Sequence, residues 1–163
     1  MGRTKLPVQM LYKTYQIFLG IYSMEGDFCR LREIVGLKRK YNALLYIDEA
    51  HSILSTGSNG RGVCEHFNVP FEYIDVLMGS LSKGCGAIGG YIAANREIIN
   101  SVREHSAGAH FGTGMSSAAA AKAYFSLKFI RENDEGQKRF KILRENSNYF
   151  RSVDILFVQI LFH

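Results

Sequence analysis

The stretch Ala43-Leu-Leu-Tyr-Ile-Asp-Glu-Ala-His51 decides the fold class, because a short apolar run in it ends abruptly in charged residues. An uninterrupted apolar run of this length is typical of a strand that is buried on both faces of a parallel sheet. The run Ile74-Asp-Val-Leu-Met78 predicts a second strand, and Gly90-Tyr-Ile-Ala-Ala94 predicts a third.

Helical patterns surround these strands. We expect a helix with Asp27 as its N-cap before the first strand and a helix capped by Asn95 after the third. Two longer helical patterns follow, at residues 116–131 and 134–151. Strands that alternate with helices, and then give way to helices, predict an α/β fold with a mostly parallel sheet and flanking helices.

Composition limits the classes to which the 163-residue chain can belong. Its 47% hydrophobic content is typical of a globular domain, and half of the 20 Lys and Arg residues behind its net charge of +5 lie in two helical stretches. This spread indicates solvated helix faces, and in the absence of a nucleic-acid-binding motif we expect no nucleic-acid partner. No run reaches the roughly 20 apolar residues of a membrane helix, so we expect no membrane span.

The three cysteines, Cys29, Cys64 and Cys85, are scattered and odd in number. This pattern argues against a disulfide framework and favours a reducing compartment such as the cytoplasm. The five histidines do not stand at ligand spacing from the cysteines, so we expect no metal site.

Three polar features follow the first two strands directly. They are Asp48-Glu-Ala-His51, Gly79-Ser-Leu-Ser-Lys83 and the glycine-rich run Gly84-Cys-Gly-Ala-Ile-Gly-Gly90. Each alone has an ordinary structural explanation: a loop cap, a solvated lysine and a tight turn. Asp-Glu-Ala-His also marks a class of helicases, but those need an upstream phosphate loop ending in Gly-Lys-Ser/Thr, which this chain lacks.

Together the three features meet the chemical requirements of pyridoxal phosphate (PLP). A PLP enzyme needs a lysine amine for the cofactor aldehyde and a carboxylate for the pyridine nitrogen, which Lys83 and Asp48 would supply. Ser80 and Ser82 would bind the phosphate, and His51 would reach the phenolic oxygen of the ring. Ligands bind outside the carboxyl ends of parallel strands, so we expect these residues at one edge of the sheet.

Four ordered motifs carry a family resemblance. They are Ile21-Tyr-Ser-Met-Glu-Gly26, Tyr46-Ile-Asp-Glu-Ala-His-Ser52, Gly60-Arg-Gly-Val-Cys-Glu65, and Gly79-Ser-Leu-Ser-Lys83 with Gly89-Gly-Tyr91. They resemble the α-oxoamine synthase family, PLP enzymes of the aspartate-aminotransferase (type I) fold that condense an amino acid with an acyl-CoA. The resemblance implies that the chain is part of the large domain of that fold.

Within this family, Leu143-Arg-Glu-Asn-Ser-Asn-Tyr-Phe-Arg151 most resembles the catalytic, long-chain-base branch, which uses serine and palmitoyl-CoA. The resemblance implies a PLP-dependent acyltransferase that makes 3-ketosphinganine, the first step of sphingolipid synthesis. It also implies a homodimer, or a heterodimer with a related subunit, in the cytoplasm or held at the cytosolic face of the endoplasmic reticulum by a partner. Two alternatives stay open: a non-catalytic partner subunit, and another α-oxoamine synthase such as aminolaevulinate synthase or an aminobutyrate-CoA ligase.

The resemblance implies a role for each residue of the candidate site. Lys83 would bind PLP covalently and later move the α-proton of the substrate. Asp48 would pair with the pyridinium nitrogen and His51 with the ring oxygen. Ser80 and Ser82 would provide hydroxyls near the phosphate.

Two further cofactor-binding residues follow from the resemblance alone. Ser23, in the Tyr-Ser-Met motif, would face the cofactor. Thr113 would reach across a dimer interface to the phosphate of the partner.

The resemblance also divides the chain into three parts. Residues 1–20 form an atypical segment that lacks the strand expected before Ile21, residues 21–132 form a partial PLP-binding large domain, and residues 133–163 form a connecting helix with the start of a C-terminal domain. Family members are more than twice this length, so we expect a truncated or mis-spliced product with impaired activity.

Overall fold

A computed structural model describes the backbone of residues 15–161 and the side chains of residues 16–153. Its strands are β1 (Tyr15–Leu19), β2 (Ile21–Tyr22), β3 (Asp27–Phe28), β4 (Leu44–Asp48), β5 (Val76–Ser80) and β6 (Gly90–Ala94). Its α-helices are α1 (Leu31–Tyr41), α2 (Val63–His66), α3 (Arg96–His105), α4 (Ala107–Phe111), α5 (Ser117–Glu132) and α6 (Asp134–Leu161). A 3₁₀ turn, Phe71–Tyr73, precedes β5.

The main sheet has four strands in the order β1-β4-β5-β6. β1, β4 and β5 are parallel to one another, and β6 runs antiparallel to β5. The mostly parallel sheet with flanking helices confirms the α/β fold class predicted from the sequence.

No strand was predicted before Ile21, so β1 was not expected. It pairs in parallel with β4 over its whole length, from Tyr15↔Leu44 to Leu19↔Asp48. As an edge strand it leaves the Ile17 side chain 69% exposed. The expectation was wrong because this segment becomes a strand through pairing with β4, and pairing is not visible in a local pattern.

The ends of several elements differ from the predictions. Asp27 caps no helix: it lies in β3 opposite Tyr22, and α1 begins four residues later without a side-chain cap. The Asn95 cap is confirmed, since its side chain accepts a hydrogen bond of 2.9 Å from the backbone N–H of Ile98. β5 begins two residues later than predicted, because Asp75 turns its carboxylate to the backbone N–H of Leu45 at 2.7 Å.

The principal core lies between the main sheet, α1 and the segment around α2. The side chains buried in this core are Cys29, Leu31, Ile34, Val35, Leu45, Ile47, Val63, Cys64, Val69 and Ile74. All come from residues 15–105, the part of the chain that ends with α3, which we call the sheet half.

Two basic residues of α1 have a structural use that the prediction of a solvated face missed. The Arg32 guanidinium donates two hydrogen bonds, of 2.9 and 2.6 Å, to the carbonyl of Phe67. The Lys38 ammonium lies 2.6 Å from the Asp75 carboxylate and donates a 2.8 Å bond to the carbonyl of Tyr73. These contacts tie α1 to the chain that leads into β5.

Helices α5 and α6, which we call the helical pair, pack against each other and against the edge of the sheet half. Of their described side chains only Ala123 and Phe140 are buried apolar residues. Many large apolar groups on the pair are exposed, among them Phe125 at 64% and Phe150 at 69%. Among the described helices, none is both long and apolar enough to span a membrane.

Candidate functional site

The carboxyl ends of β4 and β5 lie side by side, as predicted. Asp48 is the last residue of β4 and stands in register with Met78, whose carbonyl accepts a 2.7 Å hydrogen bond from the N–H of Glu49. Ser80 is the last residue of β5. The sheet therefore delivers both predicted polar segments to the same edge.

The structure brings Lys83 and His51 into direct contact. The Lys83 Nζ lies 2.6 Å from the His51 Nε2, although the two residues are 32 positions apart in sequence. Both side chains are exposed, so a ligand could approach the amine from solvent. The contact places the amine and the imidazole within hydrogen-bonding distance, so that both can act on one bound group.

Ser80 and Ser82 form a second pair at this edge. Their hydroxyl oxygens are 2.7 Å apart, and the backbone N–H of Ser82 donates to the Ser80 Oγ at 3.2 Å. The two adjacent hydroxyls make a compact group of donors for an anionic oxygen.

Asp48 is half-buried and closes a local turn. Its Oδ1 accepts a 2.8 Å hydrogen bond from the backbone N–H of Ala50. Burial, and secondarily the Asp48 charge, raises the pKa of the Tyr46 phenol above its usual value. Asp48 thus has the loop-capping role considered from the sequence, and this hydrogen bond holds its carboxylate at the end of β4.

The structure does not join Ser23 and Thr113 to this group. Ser23 is exposed in the turn between β2 and β3, and Thr113 is exposed after α4. Among the described residues, neither side chain forms a hydrogen bond with the Lys83–His51 pair or the two serines. Their predicted cofactor contacts therefore stay predictions.

Sequence reasoning missed Glu49, which lies between Asp48 and His51 and is only 3% exposed. Its carboxylate accepts hydrogen bonds from the Ser52 hydroxyl and from the backbone N–H of Val63, the latter at 3.1 and 3.2 Å to its two oxygens. Burial raises the pKa of Glu49 above its usual value, and the hydrogen bonds offset this only in part. A glutamate directly after a buried apolar strand was the signal available in the sequence.

A second glutamate, Glu65, organises the far side of the same loop. Its carboxylate accepts bonds from the backbone N–H groups of Asn59 and Arg61, at 3.0 and 3.1 Å, and from the Ser58 hydroxyl at 3.1 Å. Burial tends to raise the pKa of Glu65, but these hydrogen bonds prevail and hold it below its usual value. The loop that follows His51 is therefore fixed by two carboxylates, one buried and one partly buried.

Two cavities lie beside the helical pair and not at Lys83. One, of about 460 Å³, is lined by residues of α5 and α6 together with Leu54 and Cys85. The other, of about 430 Å³, lies between the β2–β3 hairpin, the segment 55–57 and α6. Lys83 lines neither cavity, although its neighbour Gly84 lines the first.

Comparison with protein families gives one match over most of the chain. The pattern of the aminotransferase class I and II family covers residues 16–153. The matched region includes all the predicted site residues and all but the first residue of β1.

Curated relatives are named for sphingolipid base synthesis. The chain is 44% identical over 138 residues to serine palmitoyltransferase 2 of Dictyostelium discoideum, covering 83% of this chain and 28% of the relative. It is 45% identical over 135 residues to serine palmitoyltransferase 3 of Homo sapiens, covering 81% of this chain and 24% of the relative. The chain thus spans less than a third of the length of these relatives.

Solved structures agree with these relatives. Serine palmitoyltransferase from S. paucimobilis, solved with a bound PLP–myriocin aldimine, superimposes with a TM-score of 0.68 at 31% identity. The superposition covers 72% of this chain and 30% of that one. The resemblance to PLP enzymes seen in the sequence is confirmed.

Proposed function

The chain belongs to the aminotransferase class I and II family, and on that premise we propose that its Lys83 site serves a PLP-dependent acyl transfer to an amino acid. The observation that carries the proposal is the 2.6 Å contact between the Lys83 amine and the His51 imidazole at the carboxyl edge of the sheet. Asp48, Ser80 and Ser82 stand at the same edge.

The groups at this edge fit PLP in number and in chemistry. The cofactor presents an aldehyde, a ring oxygen, a ring nitrogen and a phosphate, which need an amine, a neutral donor, a carboxylate and several N–H or O–H donors. Lys83, His51 and Asp48 match the first three. The adjacent hydroxyls of Ser80 and Ser82, 2.7 Å apart, match the last.

Each residue then has a defined task. Lys83 would hold the cofactor through its amine and would move the α-proton of the amino acid. His51, 2.6 Å from the Lys83 amine, would donate a hydrogen bond to the ring oxygen. Asp48, whose carboxylate accepts from the Ala50 N–H, would pair with the protonated ring nitrogen. The bound cofactor supplies an electron-withdrawing ring that stabilises negative charge at the substrate α-carbon.

The names of the relatives support serine and palmitoyl-CoA as the two substrates. In the overall reaction a carbon–carbon bond forms between the amino-acid α-carbon and the acyl carbonyl. The CoA thiol and carbon dioxide leave, and 3-ketosphinganine is released. This would be the first step of sphingolipid synthesis.

The finer placements belong to the same proposal. Ser23 would face the cofactor, and Thr113 would reach the phosphate of a partner in a homodimer or a heterodimer with a related subunit. The cytoplasm, or the cytosolic face of the endoplasmic reticulum through such a partner, would be the location. Residues 21–132 would form the cofactor-binding part, and residues 133–163 would lead towards a C-terminal domain.

Reduction of the PLP-treated chain with borohydride tests the proposal. A pyridoxyl group mapped by mass spectrometry to Lys83, and absent from Lys83→Ala, is the expected result. Lys122, exposed on α5, serves as the matched control lysine. Equal labelling of Lys83 and Lys122 would contradict a specific cofactor site. In PLP-loaded protein that has not been reduced, a spectral change with serine and none with glycine would separate serine use from the other α-oxoamine synthases.

A further inference from the structure

Glu49 connects the two ends of the turn that carries His51. Its carboxylate reaches forward to the Ser52 hydroxyl and to the backbone N–H of Val63, at the start of α2. Its main chain is fixed as well: the N–H donates to Met78 of β5 at 2.7 Å, and the carbonyl accepts from Ser52 and Ile53 at 3.0 and 2.9 Å. His51 belongs to this closed turn, and its side chain projects out of the turn.

The surrounding chain is shaped to hold this carboxylate. Gly62 has a φ of 80°, in the left-handed region, and a Cβ at that position would overlap the Glu49 carboxyl group. Burying a carboxylate costs free energy that only well-placed donors offset. A residue that only filled space could be apolar and would avoid this cost. The carboxylate is therefore present to accept hydrogen bonds from particular groups.

We propose that Glu49 is a positioning residue that sets His51 against Lys83. Its importance for catalysis rests on the proposed function, but the placement itself does not. The buried carboxylate fixes Ser52 and Val63, which fixes the turn, and the turn presents the His51 imidazole to the amine at 2.6 Å.

Glu65 offers a matched control within the same loop. It also binds backbone N–H groups of residues 57–62, but it is only partly buried and its bonds reach Ser58, Asn59 and Arg61. None of these residues belongs to the turn of His51. We therefore expect the loss of Glu65 to loosen the loop and leave His51 in place. The loss of Glu49 should free both the loop and His51.

The acetylation rate of Lys83 in the cofactor-free chain measures this placement. Acetylation needs the lone pair of the Lys83 Nζ and an open approach to it, and the 2.6 Å contact with the His51 Nε2 restricts that approach whichever nitrogen donates. We expect Glu49→Ala and His51→Ala each to accelerate acetylation by about fivefold relative to Lys122, the size expected for one hydrogen bond. The double variant should match His51→Ala alone, because both substitutions remove the same contact, the one between Lys83 and His51.

Two further variants guard against a general loss of structure. Glu49→Gln keeps the length and a carbonyl oxygen for Val63, and should stay within about twofold of the unaltered chain. Glu49→Asp keeps the charge but is too short to reach Val63, and should accelerate acetylation by about threefold or more. Glu49→Asp replaces Glu49→Ala if the latter exposes the buried thiols and so proves unfolded.

Three results would overturn the inference. They are an unchanged Lys83 rate in folded Glu49→Asp, an equal acceleration in Glu65→Ala, or effects of Glu49 and His51 that add in the double variant. The assay contains no PLP, so its outcome is independent of the borohydride experiment. The acetylation rates could change as expected while pyridoxyl labelling is non-specific. That result would contradict the proposed function and still support the positioning role of Glu49.

Discussion

The sheet half and the helical pair use their apolar residues in opposite ways. The sheet half buries a cluster of ten side chains, with Leu31, Ile47 and Val63 fully excluded from solvent. The described part of the helical pair leaves most of its large apolar groups exposed, including Ile142 at 52% and Tyr149 at 73%. Since burial of apolar surface supplies most of the stability of a fold, the two regions should differ strongly in stability.

Contacts between the described parts of the two regions include one ring contact and two hydrogen bonds. The Phe140 ring packs on Gly60, the Arg144 guanidinium donates a 2.9 Å bond to the carbonyl of Gly57, and the Cys85 thiol contacts the carbonyl of Ala123 at 3.7 Å. All the residues of the candidate site except Thr113 lie in the sheet half. The difference teaches that the site depends on the better-packed region, and that the helical pair can loosen first.

The largest expected effect comes from opening the core of the sheet half. Ile47→Ala should lower the free energy of unfolding by about 3 kcal/mol, because Ile47 is fully buried in the middle strand β4. Ile142→Ala, on the exposed face of α6, should change it by less than about 0.5 kcal/mol. Urea unfolding followed by circular dichroism measures both, and similar losses would contradict the comparison.

The reactivity of Cys29 and Cys64 should report on the core of the sheet half. Burial, and secondarily the Glu49 charge, raises the pKa of Cys29 to about 11 and that of Cys64 to about 12, from 9.0. The raised pKa favours the neutral thiol, so at pH 8 we expect alkylation at least about 100-fold slower than for a free thiol, with protection lost as the pH approaches 11.

Cys85 extends this experiment to the boundary between the regions. It is buried against Ala123 of α5, so it should react at a lower urea concentration than Cys29 and Cys64. Peptide mapping after pulsed iodoacetamide treatment distinguishes the three thiols. Simultaneous reaction of all three would mean that the two regions unfold as one unit.

A smaller effect is expected from the ion pair that ties α1 to β5. Asp75→Ala removes both the contact with Lys38 and the acceptor for the Leu45 N–H, and should cost about 2 kcal/mol. Glu132→Ala breaks an exposed pair with Lys128 in the helical pair and should cost less than about 0.5 kcal/mol. Thermal unfolding of the two variants side by side gives the contrast, and an equal shift would refute it.

The smallest expected effects are those of the helix caps. Asn95→Ala should destabilise the start of α3 by about 1 kcal/mol, and Ser116→Ala should destabilise α5 by a similar amount. Amide hydrogen exchange should show the loss confined to α3 in the first variant and to α5 in the second. Faster exchange in the main sheet of Ser116→Ala would show that the regions are coupled more tightly than their contacts indicate.

Much of the fold was predictable because its strands are short buried runs with polar ends. β6 and the Asn95 cap were predicted at the positions observed, and β4 and β5 within two residues. The β1 strand and the role of Asp27 were missed, since both depend on pairing with a distant or reversed segment. The same limit applies to Lys38, whose partners lie in the chain that precedes β5.

By itself the sequence determined which chemical groups this protein carries and that Asp48, His51, Ser80, Ser82 and Lys83 follow neighbouring strands. Residue type and strand periodicity are local properties, so a single chain displays them. Only the tertiary structure decided that Lys83 meets His51 and that a buried Glu49 closes the turn between them. These contacts join segments 14 to 32 residues apart, and their formation depends on packing and desolvation that no local pattern records.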